Sequence, residues 1–193
     1  MYLIGITGLI GSGKTTVGCL LKELGFVVFD MDVWCRKMYQ NPNFLYQIKQ
    51  YFPKTFINNV FDKKILRDLV FSDVQQLQIL ESLTHPYLKN KFLNTIHQFR
   101  FNQNLFFIES ALLYQMNLDR YCYDVLITKA PDCVMQQRVI KRDHIQIDQF
   151  NNIIDKQNKF IDISLSKHII NTNQSLTKLK VDLIELVRDF YKC

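Results

Sequence analysis

Short apolar runs rich in β-forming residues alternate with helical patterns along the chain. The apolar runs lie at residues 2–7, 26–29, 105–108, 125–128 and 168–170. Strands that alternate with helices form a parallel sheet covered by helices on both faces. The pattern therefore predicts a three-layer α/β/α fold with a parallel sheet. A final amphipathic helix is predicted over 175–191, with one apolar stripe made of Leu176, Leu179, Leu183, Val187 and Phe190.

The second and third predicted strands are separated by a long helical tract at about 43–100. This tract is too long for a simple crossover helix, so we interpret it as an inserted helical subdomain that covers a substrate. The alternative is a set of helices that pack a core and contact no ligand. We expect one domain, with a core at 1–40 and 101–193, a substrate-binding insertion at about 41–100, and a helical lid at about 132–160.

Composition narrows the class of protein without choosing a function. The 193 residues are 48% hydrophobic and 22% charged, which is typical of a globular protein, and the net charge of +6 favours anionic partners. The odd number of cysteines, with no C-x-x-C pair, indicates reduced thiols and a cytoplasmic location. No apolar run approaches the roughly 18 residues that a membrane span needs.

The strongest signal for function is the segment that follows the first apolar run. It fits the pattern G-x-x-x-x-G-K-[ST] at every fixed position, as Gly8-Leu9-Ile10-Gly11-Ser12-Gly13-Lys14-Thr15. An apolar strand enters the segment and a helical stretch over 15–24 leaves it. The order of strand, loop and helix predicts a P-loop that binds a nucleoside triphosphate.

Each residue type in this loop suits a polyphosphate. Glycines let backbone N–H groups turn inward, and the following helix N-terminus adds free N–H groups and partial positive charge. Lys14 supplies a full charge toward the β- and γ-phosphates, the Thr15 hydroxyl is placed to ligate Mg²⁺, and Thr16 is placed to bond the α-phosphate. Kinases, GTPases, motors and transporters all share such a loop, so the loop alone does not choose between them.

Two aspartates follow the second apolar run, where ligands of open parallel sheets bind. Residues two apart in an extended chain face the same side, so we expect Asp30 and Asp32 to face the site together. Asp32 is the predicted base for an acceptor hydroxyl, with Asp30 in support. Arg36, one helical turn later, is expected to bind an acceptor phosphate. The alternatives are that the aspartates cap the following helix and that Arg36 forms an ordinary ion pair with Asp32.

Three more side chains complete the predicted nucleotide site. Glu109 ends an apolar strand, as in the Walker-B pattern that holds Mg²⁺ through water. Arg138 and Arg142 lie four residues apart on a predicted helix, and we expect them to close over the transferring phosphoryl group. The alternative for the arginines is a solvated basic face paired with Asp143.

With these motifs in this order, the chain resembles the dephospho-coenzyme A kinase family over nearly its whole length. The family's opening loop, T-G-G-I-G-S-G-K-[ST]-T, is matched from Thr7 to Thr16. Later matches are a D-x-D-x-x-x-R element at Asp30, Asp32 and Arg36, an L-x-H-P step at Leu83-Thr84-His85-Pro86, and an R-x-x-x-R-D element at Arg138, Arg142 and Asp143. Pro86 is expected in the first turn of a new helix.

Two family elements differ in this sequence. The family's D-x-P-L-L-F-E element reads Glu109-Ser110-Ala111-Leu112-Leu113-Tyr114-Gln115, without the proline and the final acid. The family's I-x-N-x-G element reads Ile170-Asn171-Thr172-Asn173-Gln174. The resemblance implies that the first change affects acceptor-side contacts and that the second affects the adenine-side loop.

The resemblance implies ATP- and Mg²⁺-dependent phosphorylation of the ribose 3′-hydroxyl of dephospho-coenzyme A, the last step of coenzyme A synthesis. It implies that Asp32 takes the acceptor proton, that Arg138 holds ATP phosphates from the lid, and that the insertion with His85 binds the coenzyme A acceptor. We expect no membrane partner and no nucleic-acid partner, and a monomer is favoured.

Three other functions stay open on the sequence alone. The same fold also suits a nucleoside or nucleoside-monophosphate kinase. A non-catalytic, nucleotide-dependent binding protein is another candidate, although no guanine-reading N-K-x-D stretch is present. The basic charge also permits a nucleic-acid-binding module, but the chain has no recognised motif of that kind.

Overall fold

The structure is a computed structural model that describes residues 2–99, 105–161 and 168–191. In chain order its helices and strands are β1 (Tyr2–Thr7), α1 (Lys14–Glu23), β2 (Val27–Asp30), α2 (Met31–Met38), α3 (Pro42–Tyr51), β3 (Phe56–Ile57), β4 (Val60–Phe61), α4 (Lys63–Ser72), α5 (Val74–Phe99), β5 (Leu105–Glu109), β6 (Asp124–Lys129), α6 (Asp132–Asp143), α7 (Ile147–Asn158), β7 (His168–Asn171) and α8 (Leu176–Phe190). These elements separate into two compact units, of which one is residues 31–99 and the other is the remaining described residues.

A parallel sheet forms the centre of the first unit. Its five strands lie in the order β2-β5-β1-β6-β7, so β1 is central and pairs with β5 on one side and β6 on the other. The predicted three-layer α/β class with a parallel sheet is confirmed. From the end of β1 the chain runs to β2 on one side of the sheet, whereas from the neighbouring β6 it runs to β7 on the other side, so the strand order reverses beside the end of β1. Crevices for ligands form at such points, outside the carboxyl ends of the strands.

The core of this unit lies between the sheet and two helices. Buried side chains of β1, α1 and α8 form one apolar cluster, including Ile4, Ile6, Val17, Leu21, Leu183 and Phe190. Each fully buried side chain of this size stabilises the fold by about 1.5–3 kcal/mol relative to an exposed one. The cluster therefore fixes the strand that precedes the loop and the helix that follows it.

Helix α1 ends in a defined turn. The Gly25 N–H donates to the Lys22 carbonyl and the Phe26 N–H donates to the Leu21 carbonyl, while Gly25 has a φ of 90°. This pair of hydrogen bonds around a left-handed residue is the Schellman motif, in which glycine is favoured. The turn directs the chain into β2.

In the second unit, side-chain caps fix the starts of two helices. The Asn41 side chain accepts from the backbone N–H groups of Asn43 and Phe44 at the start of α3. The Asp62 side chain accepts from Lys64 and Ile65 at the start of α4. Such caps satisfy N–H groups that have no partner within the helix.

The long tract predicted as wholly helical also contains a small β-hairpin. Strands β3 and β4 pair antiparallel, and Asn58 and Asn59 between them have φ values of 48° and 66°. Two positive φ values are the mark of a type I′ turn, which asparagine tolerates well. The helical prediction for this short stretch was wrong, because two-residue strands leave almost no alternation in the sequence.

Helix α5 corrects the expectation for Pro86. The helix runs without interruption from Val74 to Phe99, so Pro86 lies inside it and does not start a new helix. A proline inside a helix removes one backbone hydrogen bond. Burial of Leu88 and Phe92 beyond the proline offsets this loss, since both side chains are at most 2% exposed. No helix in the described part of the chain is both long and apolar enough to cross a membrane.

Candidate functional site

The loop between β1 and α1 lies at the carboxyl end of the central strand. Gly8, Gly11 and Gly13 have φ values of 148°, 79° and 90°. A Cβ on Gly8 would lie 2.5 Å from the Thr128 carbonyl oxygen, and one on Gly13 would lie 2.8 Å from Thr172 Oγ1. Both the backbone angles and the close neighbours require glycine at these positions.

Side chains of the loop and of strand β6 hold the loop in this shape. Lys14 Nζ donates to the carbonyl oxygens of Gly8 and Leu9, at 2.9 and 3.0 Å. Ser12, only 1% exposed, shares a hydrogen bond of 2.6 Å between its Oγ and Thr128 Oγ1. The Lys14 ammonium group therefore lies against the loop. Its positive charge and the backbone amides of the loop can attract the same phosphate group.

Thr15 and Glu109 meet at the first turn of α1. The Thr15 hydroxyl donates to Glu109 Oε1 at 2.7 Å, and Glu109 is 5% exposed at the end of β5. A Cβ on Gly18 would lie 2.9 Å from Glu109 Oε2, so the lack of a side chain at Gly18 leaves room for the Glu109 carboxylate. A hydroxyl and a carboxylate are oxygen donors that suit Mg²⁺, which usually takes few protein ligands and binds substrate phosphates as well. The structure thus brings together the two residues predicted to hold the metal.

No group of three or more His, Cys, Asp or Glu side chains able to hold a metal ion occurs among the residues that the structure describes. Thr16 lies exposed in the same turn of α1, next to Thr15. Its bond to the α-phosphate stays a prediction.

Arg138 and Arg142 have different surroundings although they share helix α6. Arg138 Nη1 donates to the Gly11 carbonyl at 3.2 Å and to Thr172 Oγ1 at 3.0 Å, and its Nη2 donates to the Thr172 carbonyl at 3.0 Å. Arg142 is exposed and forms a two-point ion pair with the adjacent Asp143, at 2.8 and 2.7 Å. Arg138 therefore contacts the loop. Arg142 instead lies on a solvated face and pairs with Asp143, which was the alternative to a role in binding phosphate.

Helices α6 and α7 contact the loop through a second apolar cluster. Its buried members are Ala130, Met135, Val139 and Phe150, and Leu9 and Ile10 of the loop pack against them. Gln157 of α7 adds a polar contact, because its Oε1 accepts the Ile10 N–H at 2.7 Å.

The two predicted acceptor aspartates lie on different elements. Asp30 is the last residue of β2 and is in register with Glu109 of β5. Helix α2 begins at Met31, so Asp32 lies exposed in the first helical turn. The expectation of an extended chain from Asp30 to Asp32 was wrong, because the strand ends one residue after the apolar run. Arg36 lies exposed one turn further along α2.

A lysine that the sequence did not indicate lies beside this helix. Burial raises the pKa of Cys35, as does the charge of Asp32, whereas Lys63 and Arg36 lower it. Lys63 Nζ lies 5.3 Å from the centroid of the Tyr39 ring. Lys63 is therefore a second cation, besides Arg36, near the α2 surface that carries Asp32. Lys63 is the first residue of α4, and the Asp62 cap fixes the start of that helix.

Tyr39 and His85 are both affected by burial within the second unit. Burial, with a smaller effect from Cys35, raises the pKa of Tyr39 to about 12. Burial lowers the pKa of His85, and Glu81 partly opposes this. His85 lies in the middle of α5 and is predominantly neutral at neutral pH.

Comparison with known proteins places the chain in a family. The profile of the dephospho-CoA kinase family matches residues 2–178. This chain belongs to the dephospho-CoA kinase family. The dephospho-CoA kinase of Pseudoalteromonas translucida is 30% identical over 195 residues, which cover 99% of this chain and 92% of that protein.

Two solved structures are similar to it in fold. The crystal structure of TT1252 from Thermus thermophilus has a TM-score of 0.81 and 26% identity, covering 97% of both chains. The dephospho-CoA kinase from Campylobacter jejuni has a TM-score of 0.73 and 22% identity, covering 98% of this chain and 97% of that one.

Within this dephospho-CoA kinase family member, the altered element at 109–115 still forms an ordered turn. The Ser110 N–H donates to the Ile6 carbonyl at 3.0 Å, and the Ser110 Oγ accepts the Leu112 N–H at 3.1 Å. Leu113 is fully buried. The chain thus forms a defined turn after β5, with no proline in it.

Sequence reasoning missed three side chains that hold the loop of this kinase family member, namely Thr128, Gln157 and Thr172. They are 116 to 160 residues distant from the loop residues that they contact. The available signal was positional, since Thr128 and Thr172 lie at the carboxyl ends of strands β6 and β7, where ligand sites form.

Proposed function

We propose that this chain transfers the γ-phosphoryl group of ATP to the ribose 3′-hydroxyl of dephospho-coenzyme A, giving coenzyme A and ADP. The observation that carries the proposal is the family match over 2–178, which includes a P-loop with the geometry described above. The kinase assignment agrees with the position of the loop at the reversal of strand order.

The nucleotide half of the reaction belongs to the first unit. Amides of the Gly8–Thr15 loop and the N-terminus of α1 would hold the phosphates, with Lys14 adding charge where the transition state develops it. Thr15 and Glu109 would hold Mg²⁺, Thr15 directly and Glu109 through water. When bound, Mg²⁺ neutralises charge on the phosphate oxygens. Arg138 and Arg142, within the proposed lid at 132–160, would bind ATP as well.

The acceptor half is proposed for residues near the start of α2 and in the helices that follow. Asp32 is an exposed carboxylate on a helix that starts at the carboxyl end of β2, and it would take the proton of the acceptor hydroxyl. Asp30 would support it, and Arg36 and His85 would bind the acceptor in the proposed insertion at 41–100. We propose a cytoplasmic monomer that acts on this small molecule, with no membrane or nucleic-acid partner.

A coupled assay for ADP release tests the function. Purified protein is given ATP and Mg²⁺ with dephospho-coenzyme A, and in parallel with nucleosides and nucleoside monophosphates. We expect ADP release to depend on dephospho-coenzyme A alone. Equal or greater stimulation by a nucleoside monophosphate would replace the proposed acceptor, and slow ADP release that no acceptor stimulates would indicate a binding protein.

Asp32→Asn tests the role of the carboxylate. The variant is expected to lower kcat by about 10²–10⁴-fold, the usual contribution of a general base, while ATP binds as before. Asp68→Asn on α4 is the matched control, since Asp68 is also an exposed helical aspartate. Full turnover by Asp32→Asn would remove Asp32 from the mechanism.

A further inference from the structure

Thr172 joins three parts of the first unit at one buried point. It follows β7, it is 4% exposed, and its N–H donates to the Lys129 carbonyl at 2.8 Å, which extends the pairing of β6 and β7. Its hydroxyl donates to the Ser12 carbonyl at 2.7 Å and accepts from Arg138 Nη1 at 3.0 Å. The same side chain therefore links the sheet, the P-loop and helix α6.

The contact with Ser12 sets the direction of a loop amide. The peptide between Ser12 and Gly13 is trans and planar, so its N–H points away from its carbonyl oxygen. Because the Ser12 carbonyl oxygen faces Thr172, the Gly13 N–H is directed away from Thr172, and we take this side as the inner side of the loop. An inward N–H is the group that a P-loop presents to a phosphate.

The contact with Arg138 sets the position of a charge. The guanidinium donates to both the hydroxyl and the carbonyl oxygen of Thr172, and one of its nitrogens also donates to Gly11. A planar guanidinium held at several points has little rotational freedom. Loss of the Thr172 hydroxyl would leave the Ser12 carbonyl without this donor and Arg138 with two of its three contacts.

We propose that Thr172 is a positioning residue for ATP binding, whose hydroxyl orients the Ser12–Gly13 peptide and Arg138 together. The residue acts through these groups and does not itself touch the reacting atoms. This inference rests on the proposed function, because it concerns the nucleotide of that reaction. It assigns a role in ATP binding to a position at which the sequence differs from the family pattern.

Thr172→Val and Thr172→Ser test the proposal in the full chain. Valine keeps the shape and removes the hydroxyl, so we expect the Kd and the KM for ATP to rise about tenfold, the effect of leaving one buried carbonyl unpaired. The KM for dephospho-coenzyme A is expected to stay unchanged. Serine keeps the hydroxyl and is expected to restore ATP binding to within about twofold of the wild type.

Ser175→Ala is the matched control for a purely structural effect. The Ser175 Oγ accepts the Lys178 N–H at 3.3 Å and caps α8, three residues beyond Thr172. Its loss is expected to lower the melting temperature without changing the KM for ATP. A Thr172→Val variant that likewise loses stability but keeps its ATP affinity overturns the inference.

A double-variant cycle tests the link to Arg138. If the two side chains act together, Thr172→Val changes ATP affinity less in the Arg138→Ala background than in the wild type. If the fold-changes in ATP affinity of the two single variants simply multiply in the double variant, the shared role is contradicted. A Thr172→Ser variant that binds ATP as weakly as Thr172→Val contradicts it as well. Wild-type protein that does not bind ATP overturns the proposed function as well, whereas an active wild type with an unaffected Thr172→Val variant overturns this inference alone.

Discussion

Gly11→Ala measures how closely helix α6 packs against the P-loop. Gly11 has a φ of 79°, and an added Cβ would lie 2.6 Å from the Met135 carbonyl oxygen and 2.9 Å from Val139 Cγ2. Gly25 at the end of α1 also has a left-handed φ, of 90°, but within the described part of the chain no atom lies within 4 Å of an added Cβ. Gly25→Ala is therefore the matched control, since it shares the left-handed backbone and lacks the crowding.

The two variants differ by one physical cost. A left-handed alanine costs about 1 kcal/mol, and both variants carry this loss. Crowding against a backbone oxygen adds about 1–3 kcal/mol at Gly11, because either the loop or α6 must shift. For a chain of this length, 1 kcal/mol corresponds to about 2–4 °C in melting temperature. Gly25→Ala is expected to lose about that much, and Gly11→Ala at least twice as much.

Thermal unfolding followed by circular dichroism compares the two variants, with the KM for ATP as a second measurement. Gly11→Ala is expected to raise the KM for ATP as well, because the Gly11 carbonyl that accepts from Arg138 is displaced with the loop. Gly25→Ala is expected to leave the KM unchanged. Equal losses of stability in the two variants would show that α6 does not pack on Gly11 at the distance seen here.

Three other groups give predictions that need no ligand. Burial raises the pKa of Cys122 to about 12, so at pH 8 a thiol reagent is expected to label exposed Cys19 and Cys133 well before it, as followed by peptide mass spectrometry. Thr7→Val removes a buried hydroxyl that has no hydrogen-bond partner among the residues that the structure describes, and is expected to raise the free energy of unfolding in urea by about 1 kcal/mol. Burial lowers the pKa of His85 from 6.5, so just below pH 6.5 the unfolded chain binds more protons than the folded one. The free energy of unfolding is therefore expected to fall as the pH drops below 6.5, and to fall less in His85→Gln.

Each of these three predictions has a contrary result. Labelling of Cys122 at the rate of the exposed thiols would show that the segment before β6, where Cys122 lies, opens readily. A loss of stability in Thr7→Val would indicate that the hydroxyl has a partner in solution. The same pH dependence in His85→Gln and in the wild type would exclude His85 as its source.

The sequence predicted the sheet well because burial leaves a clear pattern in parallel strands. Strands β1, β5 and β6 are covered on both faces and read as continuous apolar runs. The hairpin at 56–61 escaped prediction because its strands are two residues long, although the pair Asn58-Asn59 between apolar residues was a usable signal. The continuous helix at Pro86 was missed because tertiary packing outweighs a local preference.

In the site, the residues that local sequence patterns mark were predicted, and the residues that reach the site from distant parts of the chain were not. Gly8 to Thr15 could be identified because a P-loop encodes its backbone shape in consecutive residues, and Glu109 because it ends a strand. Asp32 was expected in an extended segment but lies in a helix, because β2 ends at Asp30 and α2 begins at the next residue, Met31. The sequence pattern does not locate such a boundary to a single residue.

For the residues that hold the loop from outside, a position at a strand end was the available signal, but their contacts with the loop were not predictable, because these contacts depend on which strand ends meet in space. Two of them are Thr128, within β6, and Thr172, directly after β7, and both bond to Ser12. The periodicity of the sequence contains no information about that meeting. Only the strand order, with β1 beside β6 and β6 beside β7, brings these side chains to the loop.

By the resemblance to the family, Thr172 takes the place of the asparagine of the I-x-N-x-G element, and it has the same hydrogen-bonding capacity. The position needs one group that donates to the Ser12 carbonyl and accepts from the Arg138 guanidinium. An asparagine amide, as in the family's I-x-N-x-G pattern, has one donor end and one acceptor end, and a threonine hydroxyl combines both on one oxygen. The threonine hydroxyl can therefore make both hydrogen bonds from a shorter side chain, provided that the backbone at residue 172 lies close to the loop. Gly13 permits that approach, since any side chain there would lie within 3 Å of Thr172.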